Sequence, residues 1–200
     1  NTGLTKALNR GLKLCRGEFI ARMDADDISM PERLGQQLVF LNKHPEVGMV
    51  GTAHIEIDAK GEVLLKKSCL LEDHQLRKIL IKYNPFCHTS VMIRRSILEK
   101  IGPYDESFSY AQDYELWFRV ARHHKLANLP QFLIKKRIRD ENISFTFESH
   151  QLECAIRARI KEIQSKRYPL YFYLYVLWPL IVMNVPAATK TWIRKNIIKK

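Results

Sequence analysis

The stretch Phe19-Ile20-Ala21-Arg22-Met23-Asp24-Ala25-Asp26-Asp27 closes a short apolar run with three acids in four residues. Phe19 to Met23 reads as a buried strand, and Gly17 stands where a preceding helix should stop. Two carboxylates ~5 Å apart repel by roughly 3 kcal/mol at an effective dielectric of 20. Three of them at the end of an apolar strand therefore demand something positive nearby. One reading is a solvated acidic loop whose last member, Asp27, caps the following helix. Another is a magnesium or manganese ion that bridges Asp24 and Asp26 to a substrate diphosphate, because such ions are held by one or two carboxylates plus phosphate oxygens. The two aspartates stand at i and i+2 at a strand's carboxyl end, where open α/β sheets place their ligands. A calcium loop of the EF-hand type is excluded. Counted from Asp24, its glycine position holds Ser29 and its last ligand position holds Gly35.

Outward from this stretch, helical and strand patterns alternate. Apolar or small residues at 4, 7, 8, 11, 12 and 15 share a helical face. Ser29, Pro31 and Glu32 announce a helix continued by Leu34, Leu38 and Leu41. A hairpin follows, from Val47 through the turn Asp58-Ala59-Lys60-Gly61 to Leu65. Helices are expected over 73–83, 95–101, 112–124 and 148–166, and strands over 90–93 and 132–138. Trp117 lies at core spacing in its helix. This alternation predicts an α/β fold. The four cysteines, Cys15, Cys69, Cys87 and Cys154, form no metal-binding spacing and read as reduced, buried thiols.

Charge is unevenly spread. Residues 157–200 hold ten Lys/Arg against Glu162 alone, a net of +9, so residues 1–156 carry +3 of the total +12. The basic character belongs to the tail and does not point to nucleic acid as a partner of the main domain. Residues 168–189 contain no charged side chain, near the ~20 residues that span a bilayer, but Pro169, Pro179 and Pro186 interrupt them. With its Tyr and Trp content and basic flanks, this segment suits an interfacial or re-entrant position, a true span, or docking onto another part of the protein. The chain opens in a helix without a starting Met, which suggests that an N-terminal fragment precedes it.

Several further motifs stand in a fixed order. Asn9-Arg10-Gly11-Leu12, the acid stretch and Pro31-Glu32-Arg33-Leu34 come first. Then follow His88-Thr89-Ser90-Val91-Met92-Ile93-Arg94-Arg95, Ile101-Gly102-Pro103-Tyr104-Asp105-Glu106-Ser107-Phe108, Ala111-Gln112-Asp113-Tyr114-Glu115-Leu116-Trp117-Phe118-Arg119 and Arg137-Ile138-Arg139-Asp140-Glu141-Asn142-Ile143-Ser144. Together they resemble the family 2 glycosyltransferases of GT-A fold over residues 1–145. The resemblance implies a mixed sheet flanked by helices, its first strands missing here; residues 146–200 read, from their charge and apolar pattern, as a helical, membrane-associated tail. It implies that Asp24 and Asp26 bind Mg2+ or Mn2+ and, with Arg22, the diphosphate of a nucleotide-sugar donor. It implies an inverting transfer to a cell-envelope or lipid-linked saccharide, with Asp113 as general base. His88 and Gln112 would lie on the acceptor side. Gln112 departs from the family's usual Glu, and Arg139 stands where a His is frequent, positioned to pair with phosphate instead. The implied setting is the cytoplasmic, inner face of the cell membrane, with residues 157–200 on anionic lipid. Two other functions fit parts of the sequence. A D-x-D phosphatase would use Asp24 as nucleophile, although its motif follows a domain's first strand and here a helix precedes it. An inactive membrane-associated remnant or scaffold would account for Gln112 and Arg139.

Overall fold

The computed structural model of the chain describes residues 2–139, 148–165, 168–177 and 180. Its six strands are β1 (Phe19–Ala21), β2 (Ile28–Ser29), β3 (Val47–Ile57), β4 (Val63–Lys67), β5 (Met92–Arg94) and β6 (Lys125–Arg137). They form one mixed sheet in the order β1-β5-β3-β6-β2, with β4 also paired to β3. Strand β3 is the hub: parallel to β6 and antiparallel to β4 and β5. Its helices are α1 (Leu4–Leu14), α2 (Arg33–Lys43), α3 (Asp73–Leu80), α4 (Arg95–Ile101), α5 (Gln112–Ala121) and α6 (Glu148–Gln164).

Strand alternation divides the core between two faces. Met49, Ile93 and Leu126 point into one cluster with Leu76, Leu80, Trp117 and Ile163. Val50, Met92 and Ala127 point into the other with Leu41 and Leu133. Trp117 is a core residue, as its spacing predicts. Helix α6 also belongs to the first cluster, through Ile156, Ala158 and Ile163. Its basic residues help to dock it. Lys161 Nζ donates to Glu115 Oε1 at 2.8 Å, Arg159 Nη2 to Lys82 O at 2.6 Å, and Arg157 Nη2 to Ser107 Oγ at 2.8 Å. Three of the ten cations of the basic tail thus face the protein itself.

Four expectations need correction. Strand β6 starts at Lys125, not near 132. The strand passes Pro130 with shifts in its register against β3 around Ala53. Helix α1 buries Thr5 and Asn9 beside Leu8 and Leu12, which pack on the core, while Leu4, Ala7, Gly11 and Cys15 of the expected face are exposed. Helix α2 buries Arg33, Gln37 and Leu41, while Leu34 and Leu38 face outward. In both helices polar side chains take part of the inner face because buried backbone groups need partners. All four cysteines are free, but Cys15 is exposed, just beyond the end of α1. The uncharged segment 168–189 is described only over 168–177 and at 180; no helix among the described residues is long and apolar enough to cross a membrane.

The hub strand has no room to spare at Gly51. A Cβ there would lie 2.2 Å from Asn128 Oδ1. Asn128 cannot easily retreat, because its Nδ2 donates to Leu70 O at 2.8 Å. Gly51→Ala is expected to lower stability by about 1–3 kcal/mol, read as a lower denaturant midpoint with an unchanged slope. An unchanged midpoint would contradict this packing.

Candidate active site

The site is built on backbone that α2 holds from below. Arg33, 1% exposed, donates from Nη2 to Arg22 O at 2.7 Å and to Val91 O at 3.3 Å, and from Nε to Gln37 Oε1 at 3.0 Å. Gln37 passes the chain on, donating from Nε2 to Ser90 O at 2.8 Å and Val50 O at 3.0 Å. Burial lowers the Arg33 pKa to about 10, which still leaves it charged at neutral pH. One buried guanidinium and one carboxamide thereby tie together the exit of β1, the first half of β3 and the segment entering β5.

Beyond that platform the three aspartates meet different partners. Arg22 Nη1 donates to Asp24 Oδ2 at 2.6 Å, and Nη2 donates to Asp24 Oδ1. The Asp24 N–H is held by Thr89 Oγ1 at 3.0 Å. Asp26 faces Arg139, with Nε 3.6 Å from Oδ2. Asp27 is buried and does not cap α2, which starts after Glu32. Its Oδ1 instead accepts the Arg137 N–H at 2.7 Å, tying the acid loop to the end of β6. Burial pushes its carboxyl upward in pKa, against the pull of that hydrogen bond.

The side chains of Asp24 and Asp26 are 42% and 39% exposed, so both keep oxygen surface toward solvent. Two hard oxygen donors suit Mg2+ or Mn2+, which complete their shells with phosphate oxygens and water. No group of three His, Cys, Asp or Glu that could cage a metal occurs among the described residues. The donor set therefore fits an ion that arrives with an anionic substrate. Among the described residues Arg22 Nε is buried without a hydrogen-bond partner, a donor beside the Asp24 carboxylate.

The opposite wall comes from α5 and the segment before β5. Ala111, just before α5, has φ 52° in the left-handed region, a costly conformation for a residue with a Cβ. It sets the angle at which Gln112 and Asp113 enter the helix. Gln112 is buried at 5% exposure. Asp113 accepts a hydrogen bond from Asn84 Nδ2 at 2.8 Å. Burial raises its pKa, although hydrogen bonds from the first-turn backbone and from Asn84 and the charge of Arg22 pull the other way. A hydrogen bond of 2.9 Å joins His88 Nε2 and Tyr104 Oη. Tyr104 is fixed in turn by Asn9, whose Oδ1 accepts its N–H at 3.0 Å and whose Nδ2 donates to its carbonyl at 2.9 Å. The field of Arg22 reaches His88, Tyr104 and Asp113, so the two walls share one neighbourhood.

The candidates read from the sequence, Arg22, Asp24, Asp26, His88, Gln112, Asp113 and Arg139, all fall among the described residues, and Arg33, Asn84, Thr89, Tyr104 and Arg137 are each hydrogen-bonded to one of them. Arg33, Thr89, Tyr104 and Arg137 lie inside the quoted motifs, where motif position gave no role. Asn84 lies outside all of them, and its proximity to Asp113 has no signal in sequence spacing.

His88 is held neutral. Burial lowers its pKa well below the ordinary value, and the charges of Arg22 and Lys136 add to that. His54 is lowered to about 4 by the same two kinds of cause. A histidine whose folded pKa is depressed contributes stability above about pH 6.5 that is lost as pH falls below it. The unfolding midpoint is therefore expected to drop between about pH 7 and about pH 5. His88→Gln, whose amide still meets Tyr104, should make that drop shallower. An identical slope in the variant would contradict the placement of His88.

Comparison with known proteins gives this arrangement its context. The sequence model of the family described as "Glycosyl transferase family 2" matches residues 1–102. The amylovoran biosynthesis glycosyltransferase AmsE of Erwinia amylovora is 33% identical over 191 residues, covering 92% of this chain and 71% of AmsE. The Escherichia coli UDP-Gal:alpha-D-GlcNAc-diphosphoundecaprenol beta-1,3-galactosyltransferase is 26% identical over 216 residues, covering 100% of this chain and 73% of the enzyme. Among solved structures, the mannosyltransferase PcManGT from Pyrobaculum calidifontis, in complex with GDP-Man and Mn2+, superposes with a TM-score of 0.60 at 18% identity. That match covers 98% of this chain and 56% of PcManGT, and it bears on the fold alone. The chain belongs to glycosyl transferase family 2, with the mixed α/β sheet and flanking helices of the GT-A fold.

Proposed function

We propose that the protein transfers a sugar from a nucleotide-diphosphate donor to a saccharide or lipid-linked acceptor of the cell envelope, with inversion at the anomeric carbon. The observation that carries this reading is Asp113. It is a carboxylate with a raised pKa, hydrogen-bonded to Asn84, in the same neighbourhood as the Arg22–Asp24 pair.

Asp24 and Asp26 would hold a divalent ion together with the donor diphosphate, and that ion would supply positive charge to the leaving nucleoside diphosphate. Arg22 and Arg139, each already paired with one of these carboxylates, turn toward the same phosphate oxygens. Asp113 takes the proton from the acceptor hydroxyl as its oxygen attacks the anomeric carbon from the face opposite the diphosphate. Its raised pKa makes it a better proton acceptor than a solvated aspartate, while Arg22 and Asn84 keep it from being protonated too readily. Activity should therefore fail as pH drops through that raised value. His88, neutral and fixed to Tyr104, and Gln112, buried at the start of α5, shape the acceptor side.

The setting we propose is the cytoplasmic face of the cell membrane. Leu170, Tyr171, Leu174 and Leu177 face outward beside a buried Val176, within a segment that carries no charge. Such a surface suits the lipid interface, as does the remaining basic charge of residues 157–200.

The test is release of nucleoside diphosphate from a panel of UDP-, GDP- and dTDP-sugars, with and without Mn2+, by the complete gene product. We expect metal-dependent turnover on one nucleotide class. Asp113→Asn should lower it by about 10²–10⁴-fold, and Asp24→Ala should abolish its metal dependence. Full turnover by Asp113→Asn would remove Asp113 as the base.

A further inference from the structure

Asn84 lies outside every motif used above, in the connection between α3 and the 3₁₀ turn His88–Ser90. Its carboxamide is committed at both ends. Oδ1 accepts the Phe86 N–H at 3.1 Å, and Nδ2 donates to Asp113 Oδ2 at 2.8 Å. The first contact settles the orientation of the amide, because only the carbonyl oxygen can accept an N–H. Nδ2 must then face the carboxylate, and it can only donate. A donor fixed in this way favours the charged form of its partner. It also engages one carboxylate oxygen, Oδ2, while first-turn backbone N–H groups meet the carboxylate from its own helix, so the rotation of the group is set from two elements.

We infer that Asn84 is a positioning residue for Asp113: it fixes the carboxylate's rotation toward the acceptor and keeps the group ionised in a half-buried site. The inference rests on the reading of Asp113 as general base. The other groups around Asp113 divide by element. Arg22, from the end of β1, favours the carboxylate. Tyr104, from the segment between α4 and α5, is itself held protonated by burial and by the charge of Asp113. His88 lies behind Tyr104, is neutral, and contributes no charge. On its own helix, Asp113 meets backbone N–H groups of the first turn, including that of Tyr114. Among these, Asn84 is the side-chain hydrogen-bond donor to the base.

Two substitutions separate positioning from mere support. Asn84→Ala removes both contacts. Asn84→Asp keeps an oxygen for the Phe86 N–H, and with it the local turn, but loses the donor. The measurement is a pH titration of the full chain carrying 13Cγ-labelled aspartate, in which the Asp113 signal is assigned by its loss in Asp113→Asn. No donor or acceptor need be known. A hydrogen bond to a charged group is strong enough that its loss should raise the Asp113 midpoint by about one pH unit or more in Asn84→Ala. In Asn84→Asp the two carboxyls should titrate as a coupled pair, with one midpoint higher still. If Asn84→Ala does not fold, Asn84→Asp decides. A wild-type midpoint in the folded variants would overturn the inference, even if their turnover were low. Wild-type turnover by Asp113→Asn would instead remove the reading beneath it.

Discussion

Everything in this site depends on how three neighbouring carboxylates are kept together. Asp24 is clamped by the guanidinium of Arg22. Asp26 meets the more exposed Arg139. Asp27 is withdrawn from solvent and tied to backbone at the end of β6. The cluster is thus one anchoring acid and two partly exposed ones, each of the latter paired with an arginine. Arginine partners of this kind can release a carboxylate when a denser positive charge arrives, and can then turn to the phosphates that come with it. The net charge of the main body, only +3 over residues 1–156, leaves this local pairing to set the potential at the strand ends.

The same logic explains why polar side chains occupy buried positions under the site. Arg33 and Gln37 sit where an amphipathic helix would place leucines. They satisfy the carbonyls of Arg22, Val91, Ser90 and Val50, which are the backbone groups that aim the functional side chains. A buried arginine is costly unless its donors are all used. Here Nη2 meets the carbonyls of Arg22 and Val91 on the site's own backbone, and Nε meets Gln37 Oε1. The opposite wall repeats the device with Asn9, a carboxamide that grips Tyr104 by both backbone atoms. Strain at Ala111 then sets where α5 begins. Function has displaced the simplest packing at three separate places.

Much of this was legible in the residues themselves. The hairpin at Asp58–Gly61 and the helix carrying Asp113 follow from local pattern, because each depends on neighbours within a few positions. The strand before the acids is legible too, but it ends at Ala21 and is only half-buried, with Met23 exposed. What local pattern misses is long-range hydrogen bonding. The inner faces of α1 and α2 are set in part by carbonyls far away in sequence, so the leucine periodicity gives only part of each face. Strand β6 runs past Pro130 because β3 pairs with it on both sides of a register shift, which no local rule detects. Asp27 looked like a helix cap because it is an acid shortly before a helix, but the backbone of Arg137 competes for it and wins. Asn84 reaches Asp113 only once the chain has folded.

The central claim is that Asp24 and Asp26 share a divalent ion that carries a diphosphate. Isothermal titration calorimetry of the complete gene product with sugar nucleotides, run with Mn2+ and then with EDTA, tests it most directly. The account predicts binding of one nucleotide class that requires the metal and is lost in Asp24→Asn and Asp26→Asn. Binding that is equally tight in EDTA, or that survives both substitutions, would contradict it.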